Sequence, residues 1–159
     1  YEVADALAHA HAAGVVHRDL KPENVLLRTE HAPLADFGVA RGLRDGDPGG
    51  GTGVVLVTAA YAAPEMLRGK HCDARTDVYA LGGSLFRLLT GKPPFFDAAS
   101  KDDTVRSHLH RPPPRVTRFA PWLPAQLDDV IGTALAKDPA NRYRTAGDLA
   151  RAAAAALPA

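Results

Sequence analysis

Val3, Leu7 and Ala10 recur at helical spacing within Tyr1–Ala13, and Gly14 follows where a C-terminal cap belongs, so the chain is expected to open on a helix. Val15 and Val16 lead into a polar stretch, HRDLKPEN. The short apolar runs Val25–Leu27 and Leu34–Ala35 flank a turn-like Thr29–Pro33, which predicts a small hairpin. From Gly38 to Thr58 the sequence is rich in glycine and aspartate and poor in large apolar residues. That predicts a long surface loop, and such loops in compact domains are usually functional or disordered. Asp77–Leu89 carries Val78, Leu81, Leu85, Leu88 and Leu89, apolar on most faces, as a fully buried central helix would be. Gly91 and Pro93–Pro94 end it. Another helix is expected over Asp97–His110, with Pro112–Pro114 as an extended spacer. Two final helices are expected over Pro124–Ala136, with proline in its first turn, and over Thr145–Leu157, capped by Thr145. The expected fold class is mainly α with short β-hairpin elements, in one domain over residues 1–159 and without internal repeats.

Composition narrows the function classes. The 159 residues are 46% hydrophobic and 23% charged with a net charge of +1, which gives no clustered basic excess for a nucleic acid or a membrane surface. The single cysteine, Cys72, rules out an internal disulfide and fits a reducing, cytoplasmic setting. The alanine tract Ala152–Ala156 falls far short of the roughly 20 apolar residues of a membrane span. The opening has no basic region followed by an apolar core, so it is not a signal peptide and reads as the middle of a longer chain. Heavy use of alanine and arginine points to a GC-rich bacterial genome.

Chemistry concentrates in two places. His17-Arg18-Asp19-Leu20-Lys21-Pro22-Glu23-Asn24 sets a carboxylate, an amine and a carboxamide within six residues, and Asp36-Phe37-Gly38 follows twelve residues after Asn24. Phosphoryl transfer from a nucleotide asks for a carboxylate to orient the attacking hydroxyl, a cation beside the γ-phosphate and oxygen ligands for Mg²⁺. Asp19, Lys21, Asn24 and Asp36 supply that set in that order. Ala63-Pro64-Glu65 then closes the long loop, and DVYALG, LLTGKPPF and AKDPANRY follow at residues 77–82, 88–95 and 136–143.

Together these motifs resemble the protein kinase family over the whole chain, and the final helices look like those of bacterial kinases of eukaryotic type. The resemblance implies a protein-kinase-like fold represented by its C-terminal lobe, with the N-terminal lobe absent from this stretch. It implies transfer of the ATP γ-phosphate to serine or threonine hydroxyls of protein substrates. Asp19 would be the catalytic base and Lys21 the mark of serine/threonine specificity. Asn24 and Asp36 would hold Mg²⁺ and, with Leu26, border the nucleotide. His17 would pack on Phe37 beside Gly38, Thr58 would sit by Asp19, Asp77 would hold the catalytic loop from beneath, and Glu65 would pair with Arg142. Arg18 before Asp19 implies control by a phosphate on the long loop, for which Thr52 is the expected site. Any membrane anchor of the parent would lie outside these residues. Val57 departs from the family, which keeps glycine before Thr58, and the hairpin before Asp36 is slightly short.

Other readings compete. A small-molecule kinase would share the catalytic aspartate and the metal ligands, but not Lys21 or the Ala63-Pro64-Glu65 closure. A degenerate, partner-binding lobe would have lost a catalytic aspartate or a metal ligand, and all are present. No lysine precedes Lys21, so the strand lysine and glycine-rich loop of a complete kinase are not in this stretch, and residues 1–159 alone are expected to be inactive. The run Gly49–Gly53 lacks the spacing of a phosphate-binding loop and reads as a loop tip. His9 with His11, and His108 with His110, are two apart on helices and do not share a face, so neither pair suits a metal. Trp122 is expected to be a packing anchor, and Cys72 a small side chain near a helix start.

Overall fold

The computed structural model describes residues 1–25 and 59–157. Its helices are α1 (Glu2–Ala12), α2 (Pro64–Leu67), α3 (Ala74–Thr90), α4 (Lys101–His110), α5 (Gln126–Ala134) and α6 (Ala146–Ala156), joined by short 3₁₀ turns. No strand forms among the described residues, and the expected hairpin lies, apart from Val25, outside them.

Helix α1 ends as its glycine predicts. Gly14 adopts φ 74° and Val15 N–H reaches back to Ala10 O at 2.9 Å, which satisfies a carbonyl the last turn would otherwise leave bare. Helix α3 is the hub, packed on α5, α6 and the 3₁₀ turn at Ala59–Tyr61. Asp73 caps it by accepting from Arg75 N–H at 2.8 Å, and Gly91 closes it at φ 75°. Between α3 and α5 the backbones come so close that a Cβ on Gly82 would stand 2.6 Å from Ala134 Cβ.

Helix α3 is more amphipathic than its leucines suggest. Leu88 is 72% exposed, and Leu81, Leu85 and Leu89 are only half-buried. The inward face instead carries Val78, Tyr79 and Phe86 with the small or polar Thr76, Asp77, Gly82, Gly83 and Ser84. Close neighbours leave room for small side chains there, so the leucines are displaced to the flanks. The core runs from Tyr79, Phe86, Val116, Leu127, Ile131 and Leu135 to Leu7, Leu20 and Tyr61 on one side and Val130 and Leu149 on the other.

Two boundaries and the place of one aromatic residue differ from expectation. Helix α4 starts at Lys101, where Ser100 Oγ accepts from Asp103 N–H at 3.1 Å. Helix α5 starts at Gln126, so Pro124 precedes its first turn and accepts from Leu127 N–H instead. Trp122 is 77% exposed and anchors nothing in the core. Its expected place is taken by Phe119, which meets Phe86 and Phe96 edge-on at 5.9 and 5.3 Å. Thr145 caps α6 in a reciprocal box with Asp148.

Candidate active site

The loop after α1 is fixed from below by one carboxylate. Asp77 is fully buried on α3, and its Oδ2 and Oδ1 accept from the backbone N–H groups of His17 and Arg18 at 2.8 and 2.9 Å. His11 Nε2, on α1, lies 2.7 Å from the same Oδ2. Arg18 adopts φ 65°, a left-handed conformation that costs a non-glycine residue about 1–2 kcal/mol. Charge-assisted hydrogen bonds contribute about 1.5–3 kcal/mol each, so the two from Asp77 outweigh that strain and hold the turn. Leu20, 1% exposed, anchors the next residue in the core.

Above this anchor the polar side chains converge. Lys21 Nζ lies 3.2 Å from Asp19 Oδ2. Pro22 opens a 3₁₀ turn that returns Asn24 towards Asp19. Asn24 Nδ2 donates to Asp19 O at 2.8 Å and to Asp19 Oδ2 at 3.3 Å. Asp19 and Lys21 are partly open to solvent, with side chains 15% and 23% exposed. His17 is fully buried, and its Nδ1 accepts from Asp19 N–H at 3.3 Å, so that nitrogen serves the backbone and is not free for proton transfer.

Two further networks hold the segment that follows residue 58, one to this loop and the other to α3 and the stretch between α5 and α6. Arg87 NH1, on α3, donates to Glu23 Oε1 and to Tyr61 OH, both at 2.8 Å. Burial pushes the Tyr61 hydroxyl pKa up, with Arg87 opposing it. Glu65, on α2, forms a two-pronged pair with Arg142, NH1 to Oε1 at 2.7 Å and NH2 to Oε2 at 2.8 Å. Thr76 Oγ1 donates to Glu65 Oε1 at 2.9 Å, while Arg142 also donates to the carbonyls of Arg75, Ala136 and Lys137. Burial alone would raise the Glu65 pKa, but the Arg142 and Thr76 hydrogen bonds and the Arg142 charge leave it below the ordinary value.

Asp19, Lys21 and Asn24 are thus brought together, with His17, Arg18 and Asp77 beneath them and Glu65 and Arg142 paired at the base of the segment. Leu26, Asp36, Phe37, Gly38, Thr52 and Thr58 lie outside the described residues. Two participants were not read from the sequence. His11 stands four residues after the buried Leu7, on the inward stripe of α1, and that spacing could have flagged it. The Arg87 bridge had no local signal, since 64 residues separate it from Glu23.

Comparison with known proteins agrees with this geometry. The model of the protein kinase domain matches residues 1–152. The serine/threonine-protein kinase PknJ of Mycobacterium bovis is 53% identical over 98% of this chain, and PknD of Mycobacterium tuberculosis is 45% identical over 98%. Among solved structures, the Mycobacterium tuberculosis PknI kinase domain superposes with a TM-score of 0.72 at 33% identity, over 98% of this chain and 52% of that one. The chain belongs to the protein kinase family, and its relatives are bacterial serine/threonine kinases. It spans about a quarter of the length of these curated relatives, 27% of PknJ and 24% of PknD. Among the described residues, no helix is long and apolar enough to cross a membrane.

Proposed function

We propose that the protein carrying this chain transfers the γ-phosphate of ATP to serine or threonine hydroxyls of protein substrates in the cytoplasm, with Asp19 at the reacting centre. The convergence of Asp19, Lys21 and Asn24 on a loop pinned by Asp77 carries this reading. Asp19 accepts a hydrogen bond from the incoming hydroxyl, aligns it and takes its proton as the new oxygen–phosphorus bond forms and the bond from the γ-phosphorus to the bridging oxygen breaks, ADP leaving with that oxygen. Lys21, held on the carboxylate it shares with Asn24, places a positive charge beside the transferred group.

The residues fit a hard cation. Asn24 spends its N–H groups on Asp19 and leaves Oδ1 without a hydrogen bond among the described residues, an oxygen donor of the kind Mg²⁺ accepts. Asp36 would complete the pair, with Leu26 against the nucleotide. When bound, Mg²⁺ supplies charge neutralisation on the phosphates.

Full-length protein with Asp19→Asn tests the assignment. Turnover is expected to fall about 10²–10⁴-fold with ATP affinity little changed, the scale of losing a positioned base. Asp36→Ala is expected to raise the Mg²⁺ requirement as well as to slow turnover. Undiminished turnover in Asp19→Asn would overturn the proposal. Residues 1–159 expressed alone contain neither the glycine-rich loop nor the strand lysine that position the phosphates, so a radiolabelled-ATP assay on them is expected to show no transfer.

A further inference from the structure

A second charged cleft lies apart from the Asp19 loop. Glu65, Arg68, Lys70, His71, Lys137, Asp138 and Pro139 line a hollow of about 710 Å³ between α2 and the 3₁₀ turn at Pro139–Asn141. One wall owes its shape to Gly69. At φ 62° it lets Lys70 N–H return to Glu65 O at 2.8 Å, which turns the chain sharply and sets Arg68 and Lys70 on the cleft.

The charges do not balance. Glu65 is fully engaged by Arg142 and Thr76, and Asp138 Oδ1 caps Ala140 N–H at 2.9 Å. Arg68, Lys70 and Lys137 have no carboxylate within salt-bridge distance among the described residues. Lys137 is the telling member. It is half-buried, its Nζ donates to Ser107 O at 3.2 Å and lies 4.8 Å from the Phe95 ring centre. Burial, then the charges of Arg142, Arg111 and Arg68, push its pKa down to about 8. A half-buried ammonium that feels the positive charges of Arg142, Arg111 and Arg68, with no carboxylate of its own among the described residues, is costly unless an anion completes the set.

We infer that this cleft binds a phosphate-type dianion, free or carried on a phosphorylated side chain, between Arg68, Lys70, His71 and Lys137. Arginine offers a planar fork to such a group, the two lysines add charge and donors from the other sides, and the imidazole can add a donor. The inference is independent of the phosphotransfer reaction, since none of these residues touches Asp19.

Lys137 itself is the probe. An amine titrating near 8 is acylated readily at mildly alkaline pH, and a bound dianion would return it to the protonated form. In the full-length protein, acylation of Lys137 at about pH 8 is followed by peptide mass spectrometry, with the exposed Lys101 as internal reference. Inorganic phosphate is expected to slow labelling of Lys137 about fivefold, the effect at about pH 8 of a one-unit rise from a pKa of about 8, while chloride at equal ionic strength does not. Protection by a phosphothreonine peptide but not by free phosphate would also support the site and identify the carried form. Arg68→Gln with Lys70→Gln, both at exposed positions, should abolish the protection without shifting the melting temperature. Equal protection by chloride, no protection by either phosphate source, or protection that persists in the double variant would overturn the inference.

Discussion

His11 and Asp77, 66 residues apart, meet at 2.7 Å beneath the loop that carries Asp19. Asp77 therefore joins three elements: α3, on which it sits, the end of α1, and the turn whose His17 and Arg18 N–H groups it accepts. Removing the carboxylate leaves two backbone donors unpaired and frees a strained residue. Asp77→Ala is expected to cost about 3 kcal/mol or more in chemical denaturation, since each stranded buried donor costs about 1–3 kcal/mol. His11→Ala removes one partner and leaves the backbone bonds, so it should cost less. If the two variants were equally stable, Asp77 would not be holding the turn.

Arg142 gives the second prediction. Its guanidinium is fully buried and every face is used, on Glu65 and on three carbonyls. Truncation strands the Glu65 charge, at a cost of about 3–5 kcal/mol. Arg142→Ala should therefore unfold at far lower denaturant, whereas Arg144→Ala, at an exposed position, should stay within about 0.5 kcal/mol of the parent. Equal shifts would show that the pair contributes nothing.

A pH effect follows from His108. It is fully buried on α4, its Nδ1 lies 2.8 Å from Tyr79 OH, and the Phe95 ring meets it edge-on at 4.9 Å. Nε2 makes no hydrogen bond among the described residues. Burial, then the Lys137 charge, lowers its pKa from 6.5 to about 4, against a weak opposing pull from the Ala60 backbone. The unfolded chain thus takes up this proton near pH 6.5 while the folded chain resists it until near pH 4. The contribution is complete above the unfolded value and is lost as pH falls through that window. Between about pH 7 and about pH 5 the loss is expected to reach about 2 kcal/mol. The carboxylates with lowered pKa values, Glu65 among them, act only at more acidic pH, so the effect is separable. Urea midpoints for the parent and His108→Gln check it: the variant should show a much flatter dependence, and parallel curves would refute the assignment.

Helix positions were legible because the apolar periodicity of α1, α5 and α6 matches the face each one buries. Polar residues that face inward were not. Periodicity separated His9 from His11 and His108 from His110, and the structure exposes one of each pair and turns the other towards Asp77 or Tyr79. Spacing says that the faces differ, but not that a partner waits across 66 or 29 residues. The leucines of α3 misled for a related reason: hydrophobicity marks a side chain as able to be buried, while close helix packing at Gly82 decides which ones fit. The Glu65–Arg142 contact, across 77 residues, could come only from motif resemblance. So could the roles proposed for Asp19 and Asn24, because no pattern along the chain distinguishes a catalytic carboxylate from a solvated one.

Arg18 carries the last prediction. Asp77 fixes its backbone in a left-handed conformation, and its Nε is buried with no hydrogen bond among the described residues. A buried guanidinium nitrogen left unpaired costs free energy that a bound anion would recover. A phosphorylated side chain brings about −1.5 to −2 charge and three acceptor oxygens, which suits such a group. Between Asp36 and Glu65 the hydroxyl side chains are Thr52, Thr58 and Tyr61. Tyr61 is buried and accepts from Arg87, and Thr58 is assigned by resemblance to the neighbourhood of Asp19, which leaves Thr52 on its glycine-rich stretch. In the full-length kinase, Thr52→Ala is expected to remove activation by autophosphorylation and to leave the basal rate. Arg18→Gln should do the same even when Thr52 is phosphorylated. Thr58→Ala should instead lose activity whatever the phosphorylation state. Phosphopeptide mass spectrometry of the activated enzyme is the check, and phosphate found on Thr58 alone, or on neither threonine, would refute the assignment of Thr52.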